Sequence, residues 1–263
     1  MLTTIDWSRP WLASVADANA RLNLGADGII GPLNEQAAAM GLRNDSGMAL
    51  SFVPQASLPE GTAYEEFIGA TAGVPTRENL HDFFNALVWL TFPLIKRQLN
   101  ALQAAQIARD GVGKARGAAR DGATLFDENS ALLVVRDAPA GLALLDALRG
   151  HDWNGAFVER RASFGRDAEL YLFGHALMDK LTKPYKAITA HVWVVLADDE
   201  FFTLAPVERR AWIDNRVARE LAAKGLSPTD FTPLPVLGVP GWWPEQDAAF
   251  YDDASVFRPR RQR

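Results

Sequence analysis

The longest run of patterned apolar residues lies between Val74 and Asp110. Asn79 stands just before it, where a side-chain amide caps a helix, and Asp82 holds the position from which a carboxylate caps in return. Leu80 to Thr91 therefore reads as a helix that is apolar on most sides. Pro93 restarts a second helix, on which Ile95, Leu99 and Leu102 recur at helical spacing, and Gly111 closes it. Pro206 to Lys224 is amphipathic, with proline in its first turn and Gly225 just past its end. Shorter helices are expected over residues 9–22, 32–40, 64–70, 141–148 and 153–160. Residues 167–181 are apolar on nearly every face, which predicts a buried helix. Strands are expected at residues 50–53, 131–135 and, most strongly, 187–196, where β-branched and aromatic residues run together. The expected fold is α+β, mainly helical, a single domain over residues 1–263 with a small β-sheet.

Two segments break the pattern. Residues 111–122 carry Gly111, Gly113, Lys114, Arg116, Gly117 and Arg120, a basic glycine-rich loop that follows a helix and lacks the spacing of a dinucleotide fingerprint. Such a loop is either simply solvated or holds a phosphate. Residues 227–263 open with Pro228, Pro233, Pro235, Pro240 and Pro244 around Trp242 and Trp243, a composition that favours extended chain, here packed on the body.

Composition narrows the chemistry. With 48% apolar residues in 263, the chain can bury a substantial core without covalent staples. It has no cysteine, which excludes thiol catalysis, disulfides and thiolate metal sites. A net charge of -5 gives no general attraction to nucleic acid or anionic membranes, so neither is an expected partner. The most apolar stretch is broken by Asn85, Thr91 and Pro93, short of the roughly 20 residues of a membrane span. The start shows no signal-peptide pattern, and the expected compartment is the cytoplasm.

What chemistry remains rests on four histidines and their neighbours. His81 and Asn85 lie four apart and share a helix face amid apolar neighbours, so they must find polar partners inside the fold. His175 sits in a strongly apolar segment, with Asp179 four residues on. His191 lies mid-strand between Thr189 and Trp193. Asp127 and Glu128, in D-G-A-T-L-F-D-E-N (121–129), are read as a turn; as neighbours in extended chain they point to opposite sides. Histidine with carboxylate is the kit for a metal ion or a general base. His81, Asp82, Asn85 and His175 are the candidate catalytic residues; His81, Asp127, Glu128 and His175 are the candidate ligands of a divalent metal. A looser pattern also exists: His81, His151, Asp152 and Asp179 fall in the order used by helical HD-type metal phosphohydrolases, although His151 stands at a helix start rather than inside one.

The strings V-P-T-R-E-N-L-H-D-F-F-N-A-L-V-W-L-T-F-P (74–93), T-L-F-D-E-N (124–129), F-V-E-R-R (157–161), L-F-G-H-A-L (172–177) and K-A-I-T-A-H (186–191) resemble a bacterial family known as domain-of-unknown-function family 3025. The resemblance is firm over residues 64–195. It implies a stand-alone bacterial cytosolic protein and carries no catalytic residues with it.

Two functions fit these residues. One is an intracellular enzyme, a metal-assisted hydrolase acting on a small polar or phosphorylated molecule. The other is a non-catalytic binding or scaffold protein in which the same residues form a structural polar core. The enzyme reading requires His81 and His175 to approach each other beside an acidic residue from 127–128.

Overall fold

The computed structural model describes residues 2–111 and 118–260. Two short helices, α1 (Ala13–Ala20) and α2 (Ile30–Ala39), precede β1 (Ser51–Pro54), α3 (Tyr64–Thr71) and β2 (Gly73–Thr76). A helical hairpin follows, α4 (Leu80–Thr91) and α5 (Pro93–Asp110). Then α6 (Ala118–Asn129) leads without a break into β3 (Ser130–Arg136), and α7 (Pro139–Gly150) packs on that strand. The chain continues through β4 (Ala168–Leu172), α8 (His175–Lys180), β5 (Thr189–Ala197), α9 (Pro206–Lys224), β6 (Thr232–Pro235) and α10 (Ala248–Tyr251). The fold is mainly helical α+β, as expected, but it has two sheets rather than one. β1 and β2 pair in parallel, and the larger sheet has the order β4-β3-β5-β6. In it β3 and β5 are parallel, with Ser130 opposite His191, while both outer strands run antiparallel to their neighbours.

One continuous core joins these parts. α4 runs through it, and every residue from Asp82 to Leu90 is buried. Its start is only half of the expected reciprocal cap. The Asn79 side chain accepts from the Asp82 backbone N–H at 2.7 Å. The Asp82 carboxylate turns instead to Arg77, accepting from its backbone N–H at 2.7 Å and from Nε and Nη2 at 2.9 and 3.0 Å.

α5 borrows its cap from another helix. Pro93 has no N–H to satisfy, and the next two backbone N–H groups, of Leu94 and Ile95, donate to Asp214 of α9 at 3.0 and 2.8 Å. Burial pushes the Asp214 carboxyl up to about 7, against the pull of those two donors. The folded state thus keeps this proton to higher pH than the unfolded chain does. The stability it contributes is full below about pH 4 and is lost as pH rises through about 7, roughly 2–4 kcal/mol across that range. Urea denaturation of Asp214→Asn should show a flatter dependence of stability on pH over that interval; an unchanged slope would refute the assignment.

Three expectations need correction. The glycine-rich segment is helical from Ala118 on, and its residues 112–117 lie outside the described residues. Gly122 is tolerated inside α6 because the helix crosses the Ser227 backbone there, where a Cβ would approach to 3.0 Å. Asp127 and Glu128 accordingly sit in the last turn of a helix, not in an extended turn. Residues 167–181 are a strand followed by a short helix: β4 pairs with β3 from Ala168 to Leu172, and α8 begins only after Gly174. Apolar residues on both faces of β4, Leu170 and Leu172 on one and Tyr171 on the other, blur the alternation that separates the two states.

The C-terminal segment packs on the body through Phe250, Tyr251 and Phe257. No helix among the described residues is long and apolar enough to cross a membrane.

Candidate metal centre

Three helix ends meet at one point. His81 is the second residue of α4, His175 the first of α8, and Glu128 the last but one of α6. The two imidazoles stand edge to face, their Nε2 atoms 3.1 Å apart and their planes at 78°. Glu128 Oε2 lies 3.4 Å from His175 Nε2, and one ligand atom from each of the three residues falls within 4.8 Å of the others. An ion bound tetrahedrally at about 2.0–2.1 Å holds neighbouring ligand atoms about 3.3 Å apart. Two of the spacings are already of that size. Glu128 keeps 32% of its side-chain surface exposed against 5% for His175, so solvent reaches the cluster from the glutamate side.

Gly174 lets the chain come this close. Its N–H donates to the Ser130 carbonyl at 2.8 Å. A Cβ at this position would lie 2.5–2.6 Å from the backbone of Glu128, Asn129 and Ser130. The start of α8 therefore rests directly on the chain that carries Glu128.

Behind the histidine lies a buried polar chain. His175 Nδ1 is buried without a hydrogen bond and faces Asp127, whose Oδ2 is 4.0 Å away. The other oxygen of Asp127 accepts from Lys96 Nζ at 2.5 Å. Lys96 is 4% exposed, also donates to Asn85 Oδ1 at 2.8 Å, and stands 5.3 Å over the Trp89 ring. An ammonium only donates. The Asn85 amide is thereby oriented, its carbonyl to Lys96 and its amino group donating to the Tyr64 hydroxyl at 2.9 Å.

The electrostatics follow from this layout. Burial alone would raise the Asp127 carboxyl, but Lys96 and the two histidines overcome it and hold it below its ordinary value. Burial pushes Glu128 up, and the Asp127 charge adds to that. Burial also takes His175 down to about 4, so its ring is neutral at physiological pH, the form that binds metals. The Tyr64 hydroxyl is raised by burial and by Asp127.

Of the residues singled out in the sequence, His81, Glu128 and His175 converge. Asp127 stands one step behind His175, and Asn85 one step further, hydrogen-bonded inside the fold. Asp82 is engaged by Arg77. The HD-type order fails in space: His151 ends α7 and stacks on Trp153, Asp152 accepts from the Gly155 N–H, and Asp179 is not the partner of His175. Lys96 and Tyr64 escaped sequence reasoning. Beside Arg97, Lys96 looks like half of a solvated basic pair; only its place one turn into a helix started by Pro93 hints that one of the two must point inward.

The chain is thus a helical α+β protein built around a cluster of two histidines and a carboxylate. Residues 50–261 match the family described as Protein of unknown function (DUF3025), and the chain belongs to that family. The match extends past residues 64–195 at both ends. No curated protein and no solved structure matches the chain.

Proposed function

We propose that this protein is a metal-dependent enzyme, a hydrolase of a small polar or phosphorylated molecule, in which His81, His175 and Glu128 hold one divalent ion. The observation that carries this reading is the convergence of three ligand atoms from three separate helices within 4.8 Å. The donor set supports it. His175 turns Nε2 to the cluster and Nδ1 toward Asp127, the side from which a carboxylate fixes the tautomer of a ligating imidazole. Two histidines and one glutamate leave a further coordination position, as hydrolytic zinc sites do. An ion there would supply Lewis acidity and a water acidic enough to attack near neutral pH. The chain's own groups fit an anionic substrate: Lys96 cancels Asp127, the His175 ring is neutral, and Glu128 offsets half of a divalent charge.

The contrary reading, a structural polar core, draws on the direct 3.1 Å contact between the rings, which pairs their two Nε2 atoms without an ion. Calorimetric titration of chelator-treated protein with Zn(II) or Co(II) separates them. One ion per chain is expected, with His175→Ala and Glu128→Ala each weakening binding by at least about 100-fold. Lack of saturable uptake by the wild type would leave the structural reading standing. Loaded protein should also hydrolyse p-nitrophenyl phosphate, and both variants should lose that activity.

A further inference from the structure

A second feature is independent of the histidine cluster. A cavity of about 1590 Å³ opens between the end of α7, the paired ends of β5 and β6, and residues 255–260. His151 forms part of its wall and holds a left-handed backbone, φ 56°, ψ 30°, although glycine, which adopts it freely, stands one residue earlier. Its ring ends a stack of aromatics. It lies 5.0 Å from Trp153 at 29°, and Trp153 lies 5.9 Å from Phe157 at 8°. Its Nδ1 is buried with no partner. Pro233 and Pro235 supply apolar surface on the β6 side of the cavity. Arg258 is anchored through its own backbone, whose carbonyl accepts from Trp153 Nε1 at 2.7 Å. Its Nε donates to the Ser255 carbonyl at 2.9 Å, and among the described residues the two terminal amino groups of the guanidinium are left for another acceptor. Asp152 also borders the cavity, but its carboxylate is folded onto the Gly155 N–H.

We propose that this cavity binds a small molecule carrying both a planar ring and an anionic group, the ring lying on His151 and the anion paired with Arg258. Stacking on the outer face of a ring already fixed by Trp153 costs little side-chain freedom, and a guanidinium matches a phosphate or carboxylate through two parallel donors. The strained backbone at His151 is consistent with this: glycine would relieve it and forfeit the ring. Strand register sets the cavity at the sheet end where β3 and β5 begin, the end that also carries Glu128, so the test must separate the two sites.

Adenosine monophosphate and 1-naphthyl phosphate serve as probes, with adenosine and inorganic phosphate as half-ligands, in calorimetric titration of the full chain. Both probes are expected to bind at least about tenfold more tightly than either half-ligand. His151→Gly should weaken both probes at least about tenfold while melting at or above the wild-type temperature, because its backbone fits glycine better. Arg258→Gln should weaken the probes and inorganic phosphate and leave adenosine unchanged. His175→Ala, which disables the metal centre, should bind the probes as the wild type does. The proposal is overturned if neither probe binds at about 1 mM, if His151→Gly and Arg258→Gln bind as the wild type does, or if His175→Ala abolishes binding, which would assign the ligand to the metal centre.

Discussion

Lys96→Met is expected to lower the stability of the fold by about 3–5 kcal/mol, the usual cost of removing one partner of a buried ion pair. Methionine matches the length of the lysine stem and stays over the Trp89 ring, so little packing is lost. What is lost is the counter-charge of Asp127 and the donor to Asn85. The partial exposure of Asp127, 19%, places the effect toward the lower end of that range. Urea denaturation measures it directly. The double variant Lys96→Met/Asp127→Asn should be markedly less destabilised than the two single effects added, because the pair acts as a unit. The same single variant keeps His81, His175 and Glu128, yet Asp127 no longer has a fixed position behind His175. Metal affinity should fall by about 10–100-fold, as when the outer partner of a ligating histidine is removed. A Lys96→Met protein within 1 kcal/mol of wild type, roughly the value of a surface pair, would mean that the lysine is solvated rather than buried.

This pair also marks the limit of what was legible in the sequence. α4 could be read because its cap, its length and its apolar neighbours agree, and from it followed the demand that His81 and Asn85 find partners. His175 was visible as a polar residue in an apolar stretch. Asp127 and Glu128 are legible as residues, but their turn-like spelling hides the helix that carries them. Adjacent positions on an extended chain diverge, whereas on the last turn of α6 one reaches the Nδ1 side of His175 and the other the Nε2 side. The strand β4 was hidden because Leu170 and Tyr171, neighbours that point to opposite faces, are both apolar and only partly buried, so the alternation that marks a strand is blurred. The His151–Asp152 dyad misled for the opposite reason. Its spelling matched a catalytic pattern, while its backbone, a left-handed helix end, turns His151 onto Trp153 and away from the cluster. Lys96 and Tyr64 join through contacts between residues 11 to 31 apart, which local pattern does not reveal.

Gly174→Ala should be nearly as costly, and its effect should fall on the site as much as on the fold. Gly174 has an ordinary backbone, φ -59°, so no conformational preference demands glycine there. Space demands it. The added methyl would press on three backbone atoms at 2.5–2.6 Å, belonging to Glu128, Asn129 and Ser130, and backbone held at a helix–strand junction does not yield as a side-chain tip does. The expected loss is about 3 kcal/mol, the upper part of the range for overpacking. Gly150→Ala is the control: it too sits at a helix end, but nothing lies within 4 Å of its Cβ position, so the change should be neutral or stabilising by up to about 1 kcal/mol. The only relief open to Gly174→Ala is for the start of α8 to move off the end of α6. That motion separates His175 from Glu128 and so opens the ligand set while leaving every ligand in the chain. Folded Gly174→Ala protein should therefore bind Zn(II) more weakly by at least about tenfold, with Gly150→Ala unchanged. If Gly174→Ala instead melts with the wild type and takes up the ion equally well, the close passage of the two segments is not what sets the spacing of the cluster.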